Sequence, residues 1–422
     1  MNDISITTLM KTLRKREEKG EWVTLLGIGP MSLPVIEATL ELAREDDFPV
    51  MFIASRNQVD AEEFGRGYVC NWDQQAFADA VFTAAAKTGF DGLCYLCRDH
   101  GGPWQRDEER GKKLPADEAM ELARRSYRAD LLAGFHLLHI DPTKDPHAGE
   151  TVSLDAVLSR TVELIRYAEQ ERLALELPPV AYEVGTEETN GGLTSADAYE
   201  NFTGELVRLL TEENLPSPLF VVGQTGTLTR LTENVGRFDA SAARRLSAAA
   251  RAHGAGLKEH NADYLSDATL TLHPALGVTA ANVAPEFGVE ETAAYLMLAE
   301  VEERLCREGQ SGMTPSDFAN VLRRAAVRTE RWRKWLVGDD TKRPLAEAMD
   351  DSALSGLIAR VGGHYTFENP EVKQAMAILF KNLERAGLNP RRAVIDRVKR
   401  SIRRYSDCLG LKGLTAKIRA AL

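Results

Sequence analysis

A (β/α)8, or TIM, barrel followed by an all-helical C-terminal extension is the α/β fold class that the sequence predicts. Three observations predict it. From about residue 20, short β-branched apolar runs alternate with helix-period stretches, the pattern of parallel strands joined by crossover helices. The runs number eight over about 260 residues, which suits a closed barrel better than the rarer open sheet of eight parallel strands. After about residue 288 only helical periodicity remains.

The expected strands are WVTLLGI (22–28), PVMFIAS (49–55), GLCYLCR (92–98), HLLHID (136–141), VAYEVG (180–185), PLFVVG (218–223), GLKEHN (256–261) and ATLTLH (268–273). Amphipathic segments such as 32–45, 73–89, 116–134 and 153–174 lie between them, each long enough for a crossover helix. The connection ADYLSD before the eighth run is short, so the barrel is expected to be irregular there. Five helical stretches follow at 288–308, 315–337, 345–361, 369–387 and 390–410, separated by prolines and glycines that act as helix stops and starts. The expected division is therefore 1–287 for the barrel with its site and 288–422 for the helical extension.

Bulk properties narrow the function. The 422 residues carry 44% hydrophobic and 27% charged side chains, ordinary for a soluble globular protein. No apolar run approaches the roughly 18 residues that span a bilayer, and the first residues lack the apolar segment and cleavage site of a secretory signal. Five cysteines without repeating spacing fit a reducing compartment, so the cytoplasm is the expected location. A net charge of −11 argues against a nucleic-acid surface and leaves room for a small basic pocket. A small-molecule substrate is expected.

In such a barrel the chemistry sits at the C-terminal strand ends. Polar residues collect there: Asn57 and Gln58 after strand two, Asp99 and His100 after strand three, His139 and Asp141 at strand four. Glu183 and Glu187 follow at strand five, Gln224 at strand six, Glu259, His260 and Asn261 at strand seven, and His273 at strand eight. Desolvated polar groups need partners, and convergence from seven strands is best explained by a site. His100 and His260 with oxygen ligands from Glu187 and Gln224 make a mixed N/O set suited to Zn²⁺, Mn²⁺ or Co²⁺. Asp99 beside it serves as general acid or base, with Glu183 and Asp141 as further catalytic carboxylates. His136, three residues from His139, faces the other side of its strand. Cys94 and Cys97 likewise face opposite ways, with no second CxxC to complete a zinc knuckle. GIGPMS lacks the third glycine of a dinucleotide loop, and no GxxxxGK[ST] phosphate loop is present.

The motifs SLPVIEATLELA, SRNQV with FGRGY, RDHGGPW, HIDPT, YEVGTEE, VVGQTG, KEHNADYL and RWRKWL, in this order, resemble the GatZ/KbaZ-like family, historically named the non-catalytic subunit of class II D-tagatose-1,6-bisphosphate aldolase. The resemblance implies a barrel of class II aldolase type, in which an Asp-His pair at the third strand supplies acid/base and metal ligand; these roles fall on Asp99 and His100. Two further metal histidines of class II aldolases have no identical match, since the equivalent ends carry Glu187 and Gln224 and His260 lies one strand on. Some members look like ketose or ketose-phosphate 4-epimerases, and the expected activity is a metal-dependent 4-epimerisation of a tagatose- or fructose-type ketose by retro-aldol and aldol steps. The alternatives are a true aldolase and its stabilising subunit, partnered by a catalytic aldolase chain; self-association into a homo-oligomer is also expected. Arg98 and LHPALG depart from better-known members, so Arg98 and His273 are assigned, with Asn57, His139 and Asn261, to substrate binding.

Overall fold

In the computed structural model, which describes residues 3–149, 151–186, 192–308 and 313–422, eight parallel strands close into a barrel. They are β1 (Leu25–Ile28), β2 (Val50–Ser55), β3 (Cys94–Gly101), β4 (Leu137–Ile140), β5 (Ala181–Val184), β6 (Phe220–Val222), β7 (Gly256–Glu259) and β8 (Val278–Val283). Each strand pairs with its sequence neighbours, and β1 closes onto β8 with Leu25 opposite Ala280 and Ile28 opposite Val283. The barrel class expected from the alternation is the one observed.

Local chemistry sets the crossovers. The first follows Ser32, whose hydroxyl accepts from the Val35 N–H at 3.1 Å, with a proline in the first turn; both features start helices. That helix, Leu33–Asp46, ends where Asp47 turns left-handed at φ 53°. Similar side-chain caps from Asp73, Ser153, Ser195 and Asp239 start the helices that follow.

The eighth strand corrects the sequence reading. Residues 268–273 lie inside a helix, Asp267–Leu276, capped by Ser266 accepting from Thr269 N–H and ended by Gly277 at φ 80°. Its β-branched composition looked strand-like, but the cap and the C-terminal glycine specify a helix. The true strand, VTAANV, lies just beyond that helix and is buried throughout. His273 therefore does not end a strand. It is fully buried, donating from Nδ1 to Thr269 O at 2.8 Å, contacting Glu259 at 3.0 Å and stacking on Phe238, so it does not reach the mouth.

Arg98 is the second correction. On a strand facing a helix layer, its guanidinium is fully buried, donating to both Asp130 oxygens and to the carbonyls of Ala54 and Val59 at 2.8 and 2.9 Å. It ties β3 to the Ala116–Leu132 helix, to β2 and to the chain just after β2, and it does not line the cavity at the mouth.

The helical region begins at Pro285 with a helix to Arg307. Its last long helix, Pro390–Cys408, returns to the barrel, where Ile395, Val398, Ile402 and Tyr405 join the barrel's own apolar cluster. Among the described residues, no helix is long and apolar enough to cross a membrane.

Two stability predictions follow from buried charge. Removing one partner of a buried ion pair strands the other, so Arg98→Ala should lower the unfolding free energy by roughly 3–5 kcal/mol, whereas the double change Arg98→Met with Asp130→Leu should recover most of it; urea titration measures both. Glu291, buried in the Pro285–Arg307 helix beside Tyr295 at 3.0 Å, has its carboxyl pushed by burial from 4.5 up to about 7. The unfolded chain releases that proton near 4.5 and the folded chain only near 7. Stability from this group is thus complete below the first value and lost through the second, on the order of 3 kcal/mol. Glu291→Gln should flatten this part of the pH–stability profile measured by denaturation.

Candidate metal centre at the barrel mouth

Consecutive residues of a strand point to opposite faces, yet Asp99 and His100 both reach the site. The register explains it. Arg98 pairs with Leu138 and Gly101 with Ile140, so β3 spends three steps where β4 spends two. This β-bulge carries His100 at φ 42°, a left-handed backbone that a non-glycine residue adopts only when its surroundings impose it. Gly102 then passes so close to Asp141 that a Cβ would lie 2.6 Å from its carbonyl oxygen. The abrupt change from apolar strand to RDHGG is thus a bulge that turns two neighbouring polar side chains inward.

The imidazoles are oriented by carboxylates. His100 Nδ1 lies 2.6 Å from Asp141 Oδ2, and His260 Nε2 lies 2.6 Å from Glu183 Oε1. Each N–H donates to its carboxylate, which leaves an unprotonated nitrogen on the inner side of each ring. These two inner nitrogens, His100 Nε2 and His260 Nδ1, are 3.3 Å apart. Two nitrogens at this distance require a proton or a metal ion between them, since two facing lone pairs repel. With Zn–N bonds of about 2.0–2.1 Å, tetrahedral ligands are separated by about 3.3–3.4 Å, which matches. His139 completes the group: His100, His139 and His260 each offer a ligand atom within 4.8 Å of the others, as do Asp99, His139, Glu183 and His260. His139 Nδ1 accepts from the His100 backbone N–H at 3.0 Å, while its buried Nε2 lacks a hydrogen-bond partner. The residues fit a divalent metal.

Charge around the cluster is balanced by Lys258. Its fully buried ammonium donates to Glu183 Oε2 at 2.5 Å. Burial opposes ionisation of Glu183, but Lys258 foremost, then His139 and His260, outweigh it and hold the carboxyl down at about 2. Asp99 is likewise well below its ordinary value, burial being overcome by His100, then His260 and His139. One Asp99 oxygen lies 3.2 Å from Asn282 Nδ2 and 3.6 Å from His260 Nδ1. Asn282 fits because Gly27 faces it on β1; a Cβ there would sit 2.1 Å from Asn282 Oδ1.

A cavity of about 330 Å³ opens above, lined by Asp99, His100, His260 and Asn282 and by Asn57 and Asn261. Asn57 lines it while bridging loops, donating to Gln105 O and accepting from Asp107 N–H. Gln224 is buried beyond β6, its backbone N–H held by Thr194 Oγ1 at 2.8 Å. Glu187 lies outside the described residues. The imidazole set brings in His139, assigned from sequence to substrate, and reveals Lys258 and Asn282, which sequence reasoning missed. The signal for Lys258 was present: in GLKEH the alternation that turns His260 inward also turns Lys258 inward.

Residues 10–205 match the family described as D-tagatose-1,6-bisphosphate aldolase subunit GatZ/KbaZ-like. Over that span the chain is similar to the GatZ/KbaZ-like family. The GatZ subunit of D-tagatose-1,6-bisphosphate aldolase from Shigella flexneri serotype 5b (strain 8401) is 34% identical over 193 residues, 44% of this chain and 43% of the relative. GatZ from Escherichia coli O17:K52:H18 is 33% identical over the same length. The match thus spans less than half of the curated relatives. Among solved structures, a probable tagatose 6 phosphate kinase from Sinorhizobium meliloti 1021 superposes with TM-score 0.72 at 22% identity, covering 91% of this chain and all of that one. Fructose-bisphosphate aldolase from Campylobacter jejuni superposes with TM-score 0.52 at 14% identity over 97% of this chain and 96% of that one. These likenesses establish a shared fold. The GatZ/KbaZ-like span contains Asp99, His100, His139, Asp141 and Glu183; His260 and Lys258 lie beyond it.

If the carboxylates orient the ligands, Asp141→Asn should weaken Zn²⁺ or Mn²⁺ binding by roughly 10- to 100-fold, as measured by competition with a chromogenic chelator. Unchanged affinity would contradict that arrangement.

Proposed function

We propose that the chain carries out metal-dependent aldol cleavage and condensation of a tagatose- or fructose-type ketose or ketose phosphate, the chemistry of a class II tagatose-bisphosphate aldolase. The observation that carries this reading is the pair of carboxylate-fixed imidazoles with inner nitrogens 3.3 Å apart beside Asp99. His100, His139 and His260 would hold a divalent ion such as Zn²⁺ or Mn²⁺, which when bound would supply Lewis acidity for carbonyl chemistry. Asp99, ionised and lining the cavity, takes the C4 hydroxyl proton. The C3–C4 bond breaks, C4 leaves as an aldehyde, and the electron pair passes into the carbonyl-bearing fragment as an enediolate, which takes a proton from solvent at C3 to give the second product. Run backward, Asp99 returns the proton to the C4 oxygen. Asn282 holds the Asp99 carboxylate in place, and Lys258 keeps Glu183 ionised so that His260 presents its inner nitrogen.

The geometry favours cleavage over 4-epimerisation. Epimerisation by the same steps requires the aldehyde to turn over and meet proton donors on both faces. Of the expected catalytic carboxylates, only Asp99 lines the cavity. Both oxygens of Glu183 are engaged by His260 and Lys258, and Asp141 is engaged by His100 and Thr143. Glu183 and Asp141 thus position ligands in this proposal. We place the reaction in the cytoplasm, where the five free cysteines stay reduced, and propose assembly with a second aldolase chain, as the subunit names of the relatives suggest; size-exclusion analysis of co-expressed chains tests the latter.

The activity test is NMR of the purified protein with Mn²⁺ or Zn²⁺ and a panel of ketoses and ketose phosphates. Metal-dependent triose formation, lowered by Asp99→Asn by roughly 10²–10⁴-fold, is the expected result. A C4 epimer without triose would shift the assignment to an epimerase, and no conversion at all would leave the stabilising-subunit reading.

A further inference from the structure

We infer that the helical extension supplies the anion-recognition part of this site: Arg331 and Lys334 bind the phosphate or carboxylate at the end of an open-chain ketose remote from its carbonyl. The inference deepens the proposed function and rests on it for the ketose. The cavity that reaches Asp99, His100 and His260 is also lined by Arg331, Lys334, Trp335 and Tyr365, all from the extension. The tryptophan-bearing stretch RWRKWL thereby acquires a role. Its Trp332 is fully buried among Leu336, Ala348 and Ile358 and donates from Nε1 to Val327 O at 2.9 Å. This anchor holds a short 3₁₀ turn, Arg331–Lys334, whose i and i+3 side chains lie on the same side and both reach the cavity.

Charge makes the lip a binding surface. Arg331 sits over the rings of Tyr68 and Tyr365, 5.0 and 4.7 Å from their centroids, which fixes its plane. Its guanidinium lies 3.4 Å from Asp107, and the Lys334 ammonium lies 2.7 Å from the same carboxylate. Arg110 pairs with Asp107 as well. Three cations, Arg331, Lys334 and Arg110, share the one Asp107 carboxylate at the lip. Lys334 is 56% and Arg331 27% exposed, so both are accessible, as is His100 at 30%, whereas His139 and His260 are buried. A guanidinium and an ammonium three residues apart match a tetrahedral or planar oxyanion, to which charge-assisted hydrogen bonds are strong.

The test is calorimetric binding at fixed ionic strength of a ketohexose 6-phosphate, the matching ketohexuronate and the neutral ketohexose to the metal-loaded protein. Whichever anionic ketose binds more tightly identifies the group. Arg331→Ala should weaken its binding by roughly 10- to 100-fold and Lys334→Gln by roughly tenfold, with the neutral ketohexose unaffected. Arg331→Lys and Lys334→Gln keep the test decisive if loss of the stacked guanidinium disturbs folding. Asp99→Asn, which removes turnover, should retain the preference for the anionic ketose, so failure of the aldol reading and failure of the lip are separable. The inference is overturned if wild-type protein binds the neutral and anionic ketoses alike, or if the variants lose both equally.

Discussion

One extra residue in β3 opposite β4 is the constraint on which the site depends. Without it, Asp99 and His100 would face opposite sides of the strand, and either the acid/base carboxylate or the imidazole would be lost to the helix layer. The bulge costs backbone strain at His100, of order 1–3 kcal/mol. The surroundings that hold it are visible: the His100 N–H bonds to His139 Nδ1, its ring to Asp141, and Gly102 permits the Asp141 backbone to pass close by. Those same contacts orient the His100 ring, so the feature that strains the backbone also prepares the ligand.

Buried charge is handled by pairing throughout. Inside the barrel, Lys258 neutralises Glu183, which orients His260; on the outer face of β3, Arg98 neutralises Asp130 and spans to β2. Glu259, next to Lys258 and His260 but of opposite facing, pairs with His273. Unpaired, each of these ions would cost several kcal/mol. Both systems therefore follow one rule, and facing alone decides which belongs to chemistry and which to architecture.

The extension packs on the body of the barrel and also reaches its mouth. Its last long helix packs into the barrel's apolar cluster, and its 3₁₀ turn at Arg331–Lys334 reaches the mouth beside Asp107. A TIM barrel normally builds its site from βα loops. Here residues more than 200 positions away in sequence from Asp107 enter the same cavity.

Periodicity in the sequence determined the barrel, seven of its strands within a few residues, and the strand ends where Asp99, His100, His139, Glu183 and His260 stand, because alternation and strand-end polarity are local properties. It did not determine β8, where a capped helix just upstream mimicked the strand. Nor did it determine facing at the bulge, the outward turn of Arg98, the burial of His273, or the meeting of Lys258 with Glu183 across the interior. Those depend on register and on contacts between residues far apart in the chain, and register is set only when the sheet closes. The residue types for a metal site are written in the sequence; which of their atoms face one another is decided by the closed barrel.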